Sequence, residues 1–219
     1  MIWPIITPIL WIVALYLSLV YAPTDVVLGA SQRIFYIHIG AAWVSAVAFF
    51  VTLMLSIIYL KTRKDVLDAW AAASAEVGTV FTTVVLVTGS IWGRVAWGVW
   101  WTWDPRLTTT IVLWFLYLGY LVFREAIDDR ERRQVYSAVY AILAFVSVPI
   151  TFLSVTWWRT IHPIVISEGK FEMPGAMVFA MMAFFVAFLS LYLDWMGQRA
   201  RQHLMSEAIA AEREHAARR

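Results

Sequence analysis

The 219-residue chain contains no cysteine. That excludes disulfides, thiolate metal centres and any Cys-x-x-Cys-His site at which a prosthetic group would be tethered through thioether bonds. Charge is scarce too. Asp, Glu, Lys and Arg supply 15% of the residues and hydrophobic residues 62%, against about 25% and roughly 45–50% in ordinary soluble domains. Also missing are a Walker motif, a Gly-rich phosphate loop and a nucleophile elbow, so any ATP hydrolysis belongs to a partner. No nucleic-acid partner is expected.

What remains is chain suited to lipid. Charge-free runs extend over Met1–Thr24, Ile34–Leu60, Leu107–Phe123, Gln134–Trp158 and Met173–Leu193, and a sixth, Ala69–Gly93, is broken only by Glu76. Each reaches or approaches the ~20 apolar residues that carry an α-helix across a hydrocarbon core. The runs lack the polar alternation of a barrel lumen, so helices are the reading. The first has no basic leader or small-residue cleavage pattern and is expected to be retained. The predicted fold is an all-α integral membrane protein of six transmembrane helices, with a tryptophan-rich external segment between helices 3 and 4. Residues 1–197 form one membrane domain and 198–219 a charged helical tail.

Twelve of the 17 basic residues follow spans two and four or lie in the tail. By the positive-inside rule both termini are cytoplasmic and the connections after spans one, three and five face outward, in a bacterium towards the periplasm. The outward connections hold the aromatic wealth. Trp97-Gly98-Val99-Trp100-Trp101-Thr102-Trp103-Asp104-Pro105-Arg106-Leu107-Thr108 concentrates four indoles, a carboxylate and a guanidinium. Trp157-Trp158-Arg159-Thr160-Ile161-His162 adds two more indoles and a histidine, and Arg33-Ile34-Phe35-Tyr36-Ile37-His38 brings a second histidine into the start of span two.

Two imidazoles beside a bed of indoles suit non-covalent haem binding. Neutral imidazole ligates haem iron from either side of the ring, and indole faces supply apolar burial against the macrocycle. Arg33, Arg94, Arg106 and Arg159 are guanidiniums able to pair with the two propionates, and the residues leave open which of them does so. Without cysteine such a haem could leave.

Simpler roles apply elsewhere. Trp3, Trp70, Trp114 and Trp195 read as interfacial anchors. Asp104, just before Pro105, reads first as the N-cap of span four, with orientation of an indole or a histidine as the alternative. Glu76 reads as an interhelical polar or snorkelling contact, and His203 and His215 as parts of a solvated helix.

Those three blocks, in this order and each in an outward connection, resemble the CcmC family of cytochrome c maturation, part of the tryptophan-rich "WWD" haem-handling superfamily. The resemblance covers the chain to about Gly197; Pro105 departs from the expected pattern but is tolerated in a first helical turn. It implies that His38 and His162 ligate a transient, non-covalent haem b held with Trp97, Gly98, Trp100, Trp101, Trp103, Asp104, Arg106, Trp157, Trp158 and the outward arginines. It further implies delivery to a CcmE-type periplasmic chaperone within a complex of CcmA-, CcmB- and CcmD-type subunits in the bacterial inner membrane, without catalysis by this chain. Alternatives of other classes are a cytochrome b-like electron-transfer subunit and a haem transporter.

Overall fold

A computed structural model describes residues 2–163, 165–167 and 169–217. Seven helices follow one another: α1 (Trp3–Tyr16, continued by a π-turn over Leu17–Tyr21), α2 (Arg33–Thr62), α3 (Asp65–Trp97), α4 (Pro105–Glu125), α5 (Arg130–Phe145), α6 (Ser147–Trp157) and α7 (Gly175–Ala217). They make six membrane-length apolar spans, because α5 and α6 together form the fifth, Arg130–Trp157. The interruption has a covalent cause. Pro149 offers no N–H to the Phe145 carbonyl and its ring crowds that residue, so the helix resets between them. A two-stranded antiparallel hairpin, β1 (Ile166–Ser167) with β2 (Lys170–Phe171), sits in the connection before α7.

Connections follow local chemistry. Asp104 caps α4 by accepting from the Arg106 amide at 2.9 Å, and Asp129 caps α5 through the Arg132 amide at 2.8 Å. Pro105 occupies the first turn of α4, where no intrahelical donor is required. At the other end of α3, Gly98 takes a left-handed conformation (φ 77°) that ends the helix and turns the chain into the tryptophan segment.

The central unit is the antiparallel pair α2 and α3. Its contact is lined by small residues, as helix packing in lipid requires close approach rather than hydrophobic expulsion. Ala69, Ala71, Ala72, Ala73 and Ala75 are all buried, and a Cβ on Gly78 would lie 2.8 Å from the Phe49 ring. On one flank α1 and α7 pack through Trp11, Phe184 and Phe188, with Gly40 so close that a Cβ would come within 3.1 Å of the Phe184 backbone. On the other flank, Phe49 of α2 stacks on Tyr117 of α4, ring centroids 3.6 Å apart.

The two ends of the bundle differ in chemistry. The end formed by the α2–α3 and α4–α5 turns and the last turns of α7 is tied by charges. Arg124 donates to both oxygens of Asp68 at 2.8 and 2.5 Å, with the two side chains only 6% and 3% exposed. Gln134 bridges Asp65 and Tyr59, and Glu207 accepts from Arg130 at 2.7 Å and Arg133 at 3.4 Å. Glu76 makes the interhelical contact read from sequence, pairing with Arg199 at 2.5 Å and His203 at 2.8 Å.

His203 is therefore not a solvated residue: packed against α3, its side chain is 18% exposed and bonded to Glu76. The side chain of His215 lies outside those described, as do Arg218 and Arg219. The helix α7 runs uninterrupted across residues 197 and 198, where the composition changes from apolar to charged.

Removing one partner of a buried ion pair strands the other charge. Asp68→Ala is expected to lower stability by about 3–5 kcal/mol, far more than the loss of an exposed pair. Thermal or denaturant unfolding in detergent would read this, and an unchanged midpoint would mean that Arg124 finds other partners.

Candidate functional site

The opposite end carries the tryptophans. Here the connections after α1, α3 and α6 converge, and one carboxylate joins two of them. Besides capping α4, Asp104 accepts from the Thr160 hydroxyl at 2.7 Å and from the Ile161 amide at 3.0 Å, while the Thr160 hydroxyl oxygen accepts from the His162 amide at 3.0 Å. The capping role and the orienting role considered for Asp104 are thus filled by the same side chain. Burial would raise its pKa, but the hydrogen bonds from Thr160, Ile161 and Arg106 outweigh that and hold the carboxyl below its usual range.

Pinned in this way, His162 lies against the bundle. Its ring centroid is 5.9 Å from Trp97 and 6.4 Å from Trp92, both rings tilted to it, and 6.2 Å from His38 of α2. Its Nδ1 is buried without a hydrogen-bond partner. Burial, then the neighbouring His38 and the Arg106 guanidinium, lower its pKa to about 3 against the opposing effect of Asp104. His162 is accordingly neutral at physiological pH, the state in which imidazole ligates a metal.

His38 is held differently. Its Nδ1 lies 3.1 Å from the Thr88 hydroxyl of α3, which spends its only proton on the Val84 carbonyl at 2.6 Å. Directly beneath the ring is Gly89, where a Cβ would come within 2.9 Å of His38 Cε1.

The two histidines share a cleft of about 680 Å³, counted to its open mouth, that also meets Trp97, Trp101, Arg106 and Phe152. With a metal–nitrogen bond of ~2 Å and ~1.1 Å from nitrogen to ring centre, two imidazoles sharing one metal would have centroids no more than roughly 6.3 Å apart, and the 6.2 Å spacing lies within that limit. Among the described residues no cluster of three or more His, Asp or Glu could make a conventional protein metal cage, so any metal held here would bring other ligands of its own.

The remaining candidates separate into groups. Trp97 and Trp101 line the cleft, whereas Trp100, Trp103, Trp157 and Trp158 are not part of its lining and are 60%, 75%, 57% and 47% exposed. Gly98 contributes backbone geometry rather than contact. Of the arginines, Arg106 is turned into the cleft wall, donating to the Thr151 and Phe152 carbonyls at 2.8 and 3.1 Å. Arg33 donates to the Ser18 and Leu19 carbonyls and Arg94 to the Gly98 carbonyl. Arg159 is exposed and has no side-chain partner among the described residues.

The family described as CcmC, heme exporter protein C, matches residues 1–215. The chain belongs to the CcmC family. It is 35% identical over 189 residues to the heme exporter protein C of Bradyrhizobium diazoefficiens, covering 85% of this chain and 72% of the relative. Identity is 34% over 205 residues to the protein of the same name from Haemophilus influenzae (92% and 83%). It is 33% over 194 residues to a putative cytochrome c biosynthesis ccmC-like mitochondrial protein of Marchantia polymorpha (88% and 82%). Membership makes this a multi-pass haem exporter subunit of cytochrome c biogenesis rather than a catalytic enzyme.

Thr88, Gly89, Trp92 and Thr160 also lie around the two histidines or their connection. Thr160 lies within the Trp157–His162 block, but neither spacing nor composition marks Thr88 or Gly89.

The depressed pKa of His162 has a consequence for stability. Between 6.5 and about 3 the folded chain binds fewer protons here than the unfolded chain, so stability falls as pH drops through that window. His162→Ala is expected to flatten the decline in Tm between about pH 7 and about pH 5. An equally steep decline in the variant would show that the acid sensitivity arises elsewhere.

Proposed function

We propose that this protein binds haem b non-covalently between His38 and His162 at its outward end and presents it to a periplasmic chaperone of the CcmE type. The observation that carries the reading is the 6.2 Å approach of two imidazoles, one from α2 and one from the connection after α6, the latter with a buried unpartnered nitrogen. Trp97 and Trp101 give the cleft its apolar face, and the exposed Trp100, Trp103, Trp157 and Trp158 give a surface on which a flat macrocycle can lie.

The chain's own residues bind, orient and release. Asp104 fixes the loop of His162 so that both ligands are in place before haem arrives, which reduces the ordering cost of binding. Arg159 is the outward guanidinium best placed to take a propionate, since Arg33 and Arg94 already donate to carbonyls and Arg106 faces the cleft wall. With no cysteine the haem stays removable, as transfer demands.

Partner subunits of the CcmA, CcmB and CcmD types would supply ATP hydrolysis and the rest of the assembly. The arginine- and lysine-rich turns at the ion-paired end favour the bacterial cytoplasm on that side, with both termini there and the tryptophans in the periplasm. A cytochrome b-like electron carrier fits less well, because both imidazoles lie at one end of the bundle rather than in pairs across it.

Purified protein should carry a haem absorption spectrum that weakens in His38→Ala and in His162→Ala, with haem passing slowly to an added chaperone. If both variants keep the wild-type spectrum, ligation by these residues is wrong.

A further inference from the structure

We infer that Thr88 is a positioning residue that fixes the tautomer of His38 and so keeps its Nε2 unprotonated. The inference rests on the reading of His38 as a ligand, but its structural basis is independent of haem. Thr88 lies on α3 one helical turn above Val84. Its hydroxyl has a single proton, and the 2.6 Å bond to the Val84 carbonyl consumes it. Towards His38 the oxygen can therefore only accept. The 3.1 Å contact then requires a proton on His38 Nδ1 and leaves none on Nε2 of the neutral ring.

Two neighbours reinforce the arrangement. Gly89 makes room for the ring: a methyl group there would press on Cε1 at 2.9 Å, so the imidazole rests on bare backbone. α2 and α3 are locked along their shared alanine-rich seam, which keeps Thr88 and His38 in register. A metal-ligating histidine commonly donates its second N–H to an oxygen that sets ring orientation and raises the basicity of the ligating nitrogen. Thr88 supplies that oxygen from a neighbouring helix, beside the Val85 carbonyl, which also lies within hydrogen-bonding reach of the ring.

The two histidines are consequently unequal. His38 is oriented from behind by a helix-borne acceptor, whereas neither ring nitrogen of His162 has a partner among the described residues, and its placement comes from the loop backbone. In such a pair His38 holds and His162 is the ligand that yields.

The test uses full-length protein in detergent or lipid, with Thr88→Val to remove the acceptor at nearly constant volume and Thr88→Ser to retain it. In haem-free protein labelled with 15N-histidine, wild type and Thr88→Ser should show His38 with a protonated Nδ1 and a bare Nε2. Thr88→Val should populate both neutral tautomers. In haem-loaded protein, Thr88→Val should bind haem about 10–100-fold more weakly and raise its midpoint potential, because a less basic imidazole stabilises the ferric state less. Thr88→Ser should restore both.

A Thr88→Val protein with the wild-type tautomer overturns the inference, whatever its haem content. So does loss of haem that serine fails to rescue. If instead His38→Ala leaves the haem spectrum intact, the ligand reading falls while the tautomer measurement still judges Thr88.

Discussion

A loop carrying a histidine has no reason of its own to lie against a helix bundle, and the link that makes it do so is the Asp104 carboxylate. One oxygen takes the Arg106 amide and the Thr160 hydroxyl, and the other takes the Ile161 amide. Capping alone accounts for about 0.5–2 kcal/mol in such positions. The further bonds convert a helix cap into a clasp between the connection after α3 and the connection after α6. Through Thr160 the clasp reaches the His162 backbone, and the spacing of the two imidazoles follows from it.

The rest of the fold makes that clasp possible by keeping polar chemistry at the two ends. Within lipid every backbone group must bond internally, which restricts the interior to helices packed through small residues. Several hydroxyls within the spans bond back to their own helix, as Thr52 does to Ala48 and Thr82 to Gly78, while Ser74 of α3 donates across to the Ala48 carbonyl of α2. Charges gather towards the two ends of the bundle. One end uses its charges on one another, in the pairs Asp68–Arg124, Glu76–Arg199 and Glu207–Arg130. At the other end guanidiniums donate to backbone carbonyls or stand exposed, several indoles are exposed, and two imidazoles line a shared cleft.

Much of this was legible in the residues. Six spans could be read from uninterrupted apolar runs, although α2 and α3 extend beyond their runs because Arg33 and Asp65 remain helical at the ends. The order of the tryptophan and histidine blocks pointed to one end of the bundle. Three things were hidden for physical reasons. The reset at Phe145 follows from Pro149, but a fifth span of ordinary length gave no cause to divide it. Thr88 resembled other threonines that bond to a carbonyl four residues back, such as Thr79 and Thr83, and only the fold reveals an imidazole behind it. His203 sits in a charged tail whose composition signals solvent, and its contact with Glu76 depends on how α7 leans on α3.

Electron paramagnetic resonance of the ferric haem-loaded protein, recorded with 14N- and 15N-histidine, tests the shared-iron geometry most directly. The expected result is a low-spin, six-coordinate signal with hyperfine coupling to two histidine nitrogens, lost to high spin when either His38 or His162 is replaced. A wild-type signal that is high-spin, or that couples to one histidine alone, would contradict the account.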